Sequence, residues 1–185
     1  MPLRGMRPHL GAYLAETGPM FFWFVALSFV LVALVFDSPA LDYRMVMLGS
    51  VLPAVELLAG GPWALHTLLA PLVVMVAVML VTRGRRLTRR RWLGLPIGLF
   101  LYLVLEGSWL RAELFWWPVL GVSVDSADLP EFRPLGALII LELVGLAVGA
   151  WAVRRYGLTD RQRLRLLCTK GRLDRAQMGA TRRRR

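Results

Sequence analysis

The chain has 185 residues, enough for about one domain, and 57% of them are hydrophobic while 19% are charged. Its mean hydropathy of +0.55 with a net charge of +11 excludes an ordinary soluble domain and a mainly disordered chain. The positive charge is confined to two blocks. Residues 154–185 hold twelve Lys and Arg against two acids, and residues 83–91 hold six Arg against none. Apolar segments beside blocks of arginine are typical of a membrane protein.

Five apolar segments follow one another along the chain. At 1.5 Å per residue they measure roughly 22–32 Å, against a hydrocarbon core of about 30 Å. The sequence therefore predicts an all-α, polytopic membrane helix bundle with about five transmembrane helices, the second of them short. The segments are 20–36, 45–59, 62–82, 92–110 and 135–153.

The first two segments each pose a choice. No small-x-small cleavage site follows 20–36, so we expect a retained helix and not a cleaved signal. Segment 45–59 contains Pro53 and is only about 22 Å long, so it is either a short span or a re-entrant piece. The Gly60-Gly61-Pro62 turn favours a short span, since glycine accepts positive φ and proline suits a helix start.

The arginine blocks predict the orientation. Both 83–91 and 154–185 are expected on the cytoplasmic side of the cell inner (plasma) membrane, with the acidic stretch 111–134 outside. Five spans place the N-terminus outside, and four place it inside. The organisation predicted is an N-terminal tail at 1–19, a membrane helical domain at 20–153 and a basic cytoplasmic tail at 154–185.

Four ionisable residues interrupt the apolar segments, and such residues are functional candidates because their burial in a membrane is costly. Glu56, His66 and Glu106 each lie about 6 Å below the outer end of their predicted helices, and Glu142 lies about 10 Å down. They therefore share one level of the outer leaflet. Tyr102 lies on the same helical face as Glu106.

Two interpretations of these ionisable residues at a shared depth fit the sequence. One is a metal site in which His66, Glu56 and Glu106 bind one divalent ion, zinc or manganese, with Tyr102 or Glu142 handling a proton. The other is a polar cluster that joins the helices by hydrogen bonds. No soluble-enzyme motif is present, and Ser108 does not complete a nucleophilic triad.

The basic blocks also have alternative roles. The six arginines of 83–91 are either a topology determinant or a binding site for anionic lipid head groups. In the tail, 158–168 predicts a basic amphipathic helix on the inner surface, capped by Thr159 or Asp160. We expect membrane lipids as partners and no nucleic acid, and the sequence assigns no protein partner. The arginines are Arg83, Arg85, Arg86, Arg89, Arg90 and Arg91.

A series of short motifs resembles a known family. LGSVLP at 48–53, HTLL at 66–69, LPIG at 95–98 and FWWP at 115–118 occur in this order around the basic block. The pattern resembles small actinobacterial membrane proteins described as membrane-bound metal-dependent hydrolases, relatives of an SOS-induced inner-membrane hydrolase family. The resemblance covers roughly residues 20–121.

The resemblance implies a set of His and Asp metal ligands. His66 matches one of them, and Glu106 replaces an aspartate of the family. Tyr102, Phe24 and Ala54 stand where the family has ligands, and a glutamate follows two residues after Ala54. This pattern implies a divergent site or a relative that kept the fold without the chemistry.

Three functional hypotheses follow. The first is a divergent metal-dependent hydrolase that acts on a lipid or envelope ester or phosphoester. The second is a non-catalytic membrane scaffold or interaction protein whose buried acids are structural. The third and weakest is a proton-linked transporter. The position of the four ionisable groups argues against it, because all of them lie in the outer half of the predicted spans.

Overall fold

The computed structural model describes residues 20–36, 38, 41–58, 64–108, 115–116 and 135–173. Every regular element within these ranges is helical, which confirms the all-α prediction. The helices are α1 (Phe21–Phe36), α2 (Tyr43–Gly49), α3 (Leu52–Leu58), α4 (Leu69–Val81), α5 (Arg86–Trp92), α6 (Gly94–Glu106), α7 (Leu135–Arg155) and α8 (Arg161–Lys170), with a 3₁₀ turn at Ala64–His66.

The second apolar segment forms two short helices in place of the single helix predicted over 45–59. α2 ends at Gly49 and α3 begins three residues later. Pro53 explains the break, because proline has no N–H to donate to the Gly49 carbonyl and its ring would collide with that carbonyl. At the break, Ser50 accepts a hydrogen bond of 3.0 Å from the hydroxyl of Ser28 on α1.

The third apolar segment is α-helical only from Leu69, whereas the sequence predicts one helix over 62–82. Pro71 lies in the first turn of α4, where its missing N–H costs nothing, and an earlier start would place it in the helix interior. His66 consequently lies on the preceding 3₁₀ turn and not inside the helix. The predicted turn at 60–62 falls outside the described residues.

The basic block 83–91 is largely helical. It is a helix, α5, preceded by a turn in which Gly84 adopts φ +83°. The next helix, α6, ends at Gly107, which takes the left-handed conformation that terminates many helices. The outer loop predicted at 111–134 lies outside the described residues except for two positions, 115 and 116.

Glycines set the two closest helix contacts. α1 and α7 run parallel, with Gly145 of α7 against the backbone of Phe22 and Trp23. α2 and α6 also run parallel, and a Cβ on Gly98 would overlap the carbonyl oxygen of Val46. Small residues let helix backbones approach closely, which is the usual way that helices associate in membranes.

The tail helix α8 packs on the start of α2. Asp42 caps α2 and accepts from the backbone N–H of Arg44 at 3.1 Å. The Arg44 guanidinium donates to the carbonyls of Cys168 and Thr169 at 2.9 and 3.0 Å, at the C-terminal end of α8. Asp160 caps the other end of α8, as the sequence predicts.

These contacts define two ends of the bundle. Asp42, α5 and α8 lie at one end, which we call the basic end. The helix α6 leads from there to Glu106 at the opposite end, about 20 Å away at 1.5 Å per residue. Aromatic and aliphatic side chains of α1, α2, α7 and the chain that follows α7 form the larger core, which includes Phe29, Tyr43 and Tyr156.

By length and composition, one described helix can cross a membrane: Gly136–Arg155, of which 11% of the most apolar window is buried. Two further apolar helices, Phe21–Phe36 and Leu69–Val81, are shorter. Many large apolar side chains of α4 and α7 are exposed, including Val73, Met79 and Ile140.

Candidate functional site

Three elements bring four polar side chains together at the end of the bundle opposite the basic end. Glu56 comes from α3, His66 from the 3₁₀ turn, and Tyr102 and Glu106 from one face of α6. We call these four residues the His66 cluster. The shared level that the sequence predicts for Glu56, His66 and Glu106 is therefore seen as direct proximity.

Glu56 holds the turn that carries His66. Its Oε2 lies 3.1 Å from Nδ1 of the imidazole. The same carboxylate accepts from the backbone N–H of Leu65, at 3.0 Å to Oε2 and 3.3 Å to Oε1. One side chain from α3 thus fixes both the backbone and the ring of the turn, which lies nine and ten residues further along the chain.

The opposite ring nitrogen faces α6. His66 Nε2 lies 3.3 Å from the hydroxyl of Tyr102 and 3.7 Å from Oε1 of Glu106. The other oxygen of Glu106, Oε2, accepts a hydrogen bond from the hydroxyl of Ser108. The imidazole therefore links α3 on its Nδ1 side to α6 on its Nε2 side.

The cluster is closed from the surroundings. The His66 side chain has no exposed surface, and the side chains of Glu56 and Glu106 are 17% and 12% exposed. The ring of Phe24 lies against Tyr102 with a centroid separation of 4.4 Å. Burial at this level makes the hydrogen bonds of the imidazole costly to lose.

The partners of the two ring nitrogens of His66 fit two protonation states of the ring. When Nδ1 carries a proton, it donates to the Glu56 carboxylate, and the neutral ring presents Nε2 as an acceptor for the hydroxyl of Tyr102. A doubly protonated ring instead donates on both sides, with a carboxylate near each nitrogen. Both states leave every polar atom of the ring with a partner.

The geometry limits how a metal could bind. Glu56 and Glu106 approach different nitrogens of the ring, so Glu56, His66 and Glu106 do not point at one position. Among the residues that the structure describes, no group of three His, Cys, Asp or Glu side chains is placed to share an ion. Within the described residues, the Nδ1 side has the carboxylate of Glu56 beside it, and the Nε2 side has the oxygens of both Tyr102 and Glu106.

Glu142, the other residue predicted to support catalysis, lies elsewhere. Its Oε1 accepts from the backbone N–H groups of Phe21 and Phe22 at 2.6 and 3.3 Å, and its Oε2 accepts from that of Trp23 at 3.0 Å. Glu142 therefore caps the N-terminus of α1 from α7. The sequence places it at nearly the right depth, but depth does not specify the direction in which a side chain points.

The arginines predicted to bind lipid lie on or beside α5. Arg89 is partly buried, and the other five are exposed. They lie at the basic end, remote from the His66 cluster, with no Asp or Glu in the same stretch of sequence. The structure thus keeps the basic block and the polar cluster at opposite ends of α6.

Two contributors to the cluster were missed by the sequence reasoning. Ser108 was weighed only as a nucleophile, yet its buried hydroxyl binds the Glu106 carboxylate. Phe115 accepts from the backbone N–H of Leu68 at 3.0 Å through its carbonyl and so ties the chain after the turn to a distant segment. The spacing of Ser108, two residues after Glu106, is the one signal that could have identified its role.

Comparisons of the chain with protein-family models, with curated proteins and with solved structures find no significant match.

Proposed function

We propose that this chain is a multi-pass membrane protein that acts as a non-catalytic scaffold or interaction protein, and that its His66 cluster joins the helices near the outer face. The observation that carries the proposal is the environment of His66. Its side chain is fully buried, and each of its two nitrogens faces a protein oxygen within 3.3 Å. A ring so occupied acts as a connection between helices.

The packing of the helices supports the membrane part of the proposal. The window of Gly136–Arg155 is only 11% buried, whereas a core helix of a soluble protein would be largely covered. Large exposed apolar surfaces are unfavourable in water and favourable against lipid. α1 runs parallel to α7 and α2 runs parallel to α6, as five alternating crossings by 20–36, 45–59, 62–82, 92–110 and 135–153 require.

The single cysteine provides a test of the topology. Cys168 is exposed on α8, and the proposal places it in the cytoplasm of the host cell. A membrane-impermeant maleimide should leave Cys168 unlabelled in intact spheroplasts and label it in inverted vesicles. A C168S/T17C variant, with its cysteine in the N-terminal tail, should show the reverse pattern if five segments cross. Labelling of Cys168 in intact spheroplasts would contradict the proposed orientation.

The role of the cluster is tested by a double-mutant cycle. Glu56→Ala and His66→Ala are made singly and together, and the unfolding midpoint of the detergent-solubilised protein is measured. A direct connection predicts that the two losses are strongly non-additive, since either change breaks the same contact. Additive losses would show that the pair does not hold α3 to the turn.

A second candidate function is a divergent metal-dependent hydrolase that acts on a lipid or envelope ester or phosphoester. The separation of 3.7 Å between His66 Nε2 and Glu106 Oε1 favours it, because two ligands of a tetrahedral zinc ion lie about 3.4 Å apart. His66 and Glu106 would hold the ion, Tyr102 would lie beside it, and Glu56 would orient the ring from Nδ1. Such an ion would activate water as a nucleophile.

The hydrolase is tested by the release of product from phosphoester and ester lipids by the purified protein in the presence of zinc or manganese. Activity that disappears in Glu106→Gln and survives in Glu142→Gln would support the hydrolase over the scaffold. Equal activity in both variants would point to a contaminating enzyme and contradict this candidate.

A further inference from the structure

An apolar groove opens on the side of the bundle between α1, α4 and α6. Its volume is about 500 Å³, which is within the range of about 300–1,000 Å³ of ligand pockets. The lining carries almost no polar surface, and it includes Leu31 and Val35 of α1, Leu72 and Met75 of α4, and Ile97 and Phe100 of α6.

The groove extends towards the basic end. Phe36, the last residue of α1, and Pro96, in the first turn of α6, both line it. The basic helix α5 precedes α6 by a single residue, Leu93, and α5 packs against both α4 and α6. The arginine-rich segment therefore joins two of the three helices that line the groove, α4 and α6.

We propose that the groove and the basic helix together bind one phospholipid with an anionic head group. The acyl chain occupies the groove, and the phosphate lies at the inner surface against the arginines of 83–91. The inference depends on the proposed membrane location of the chain. It goes beyond that location because it assigns one site, one leaflet and one class of lipid.

The two parts of the site contribute differently. Lipid tails are as apolar as the leucines of the groove, so tail burial inside a membrane adds little preference for one head group. The charge supplies the preference. Arginine binds phosphate oxygens through two parallel hydrogen bonds, and α5 offers Arg86, Arg89 and Arg90 with no acid in the same helix. Asp42, the described acid near the start of α6, is already paired with Arg44.

The groove is large enough for a polar ligand, but its apolar lining does not favour one. A partner helix that packs within a membrane would favour small residues along the contact, because they let the two backbones approach closely. The mouth is instead formed by side chains such as Val35 and Phe36, which are 74% and 51% exposed. Within the described residues, the arginines of the basic end supply positive charge, which matches a ligand that is apolar along its length and anionic at one tip.

The experiment is native mass spectrometry of the full chain in detergent, with phosphatidylglycerol and phosphatidylcholine of identical acyl chains as competing probes. The wild type should bind phosphatidylglycerol preferentially. Replacement of Arg86, Arg89 and Arg90 by glutamine should weaken phosphatidylglycerol binding about fivefold for each arginine. In the matched control variant, three arginines of α8 are replaced by glutamine, and this variant should still prefer phosphatidylglycerol. They are Arg161, Arg163 and Arg165. An equal loss in the control would overturn the site, because it would reflect net charge alone.

A second pair of variants tests the groove. Leu72→Trp places an indole in the groove, whereas Val73→Trp places one on the same helix outside the lining, at a position that is 53% exposed. We expect Leu72→Trp to reduce binding at least fivefold and Val73→Trp to leave it unchanged. Binding that is the same in both variants would overturn the acyl-chain site.

Chain length provides a readout that needs no variant. Phosphatidylglycerol with long chains should bind more tightly than the same lipid with very short chains, and soluble glycerol phosphate should not compete. Effective competition by glycerol phosphate would overturn the proposal of a lipid site and indicate a site for phosphate alone. A protein that requires detergent for extraction but shows no lipid preference would retain its proposed function and lose this inference.

Discussion

The carboxylate of Glu56 lies 3.1 Å from Nδ1 of His66 and also accepts from the backbone N–H of the residue before the histidine. One acid thus holds both the ring and the backbone of the turn between α3 and α4. Since the far side of the ring contacts α6, the pair connects three parts of the chain through one imidazole.

Replacement of Glu56 by alanine should destabilise the protein by about 2 kcal/mol, because a buried ring nitrogen and a backbone N–H lose their acceptor. The melting temperature in detergent should fall by about 4–8 °C. Glu56→Gln should have a smaller effect, since its amide oxygen can still accept from Leu65. Equal stability of Glu56→Ala and the wild type would show that the contact contributes nothing.

Glu142 should matter as a cap even though it stands apart from the His66 cluster. In Glu142→Ala, the first N–H groups of α1 lose their acceptor and the favourable charge at the helix N-terminus disappears. We expect a loss of about 2 kcal/mol in the free energy of unfolding. Glu142→Gln, which retains an oxygen, serves as the control and should lose less. A hydrolase assay should be insensitive to both changes.

Close packing of α2 on α6 predicts a sharp contrast between two glycines. Gly98→Ala should destabilise by about 1–3 kcal/mol, because the added methyl group would overlap the Val46 carbonyl oxygen. Gly136→Ala is the matched control within a helix, since no other heavy atom lies within 4 Å of its new Cβ. Thermal melts in the same detergent compare the two. A neutral Gly98→Ala would contradict the observed contact.

The attachment of the tail helix depends on Arg44. In Arg44→Ala, the last carbonyls of α8 lose their charged donor, so the backbone amides of 168–171 should exchange with deuterium faster. Arg163→Ala is the control, because that side chain makes only a surface ion pair of 3.7 Å with Asp160, and such pairs contribute little. Unchanged exchange in Arg44→Ala would show that Arg44 does not hold the C-terminal end of α8, which the backbone N–H of Tyr43 also binds through the carbonyl of Gly171 at 2.8 Å.

Uninterrupted apolar runs were the easiest part of the fold to predict. α1 and α7 match their predicted segments to within two residues, because nothing in 20–36 or 135–153 competes with a helix. The segments with internal prolines were predicted less well. Pro53 and Pro71 change where their helices begin, because each lacks a backbone N–H. The pattern of hydrophobic residues contains no information about a missing N–H, so it does not predict these changes.

The candidate site shows a similar division. The spacing of Glu56, His66 and Glu106 from the ends of their segments predicts their common level, and the three do meet. The partition of the two acids between opposite ring nitrogens was beyond sequence reasoning, because it depends on the rotation of each helix about its axis. The same limit applies to Glu142, whose depth fits the cluster while its side chain points to α1.

Elemental analysis of the detergent-purified protein, after incubation with zinc or manganese and removal of excess ion, tests the scaffold account most directly. Wild type, His66→Ala and Glu106→Ala are compared. The account predicts far less than one equivalent of metal in all three, with a lowered melting temperature in the two variants. About one equivalent in the wild type, lost in both variants, would contradict the scaffold and establish His66 and Glu106 as ligands.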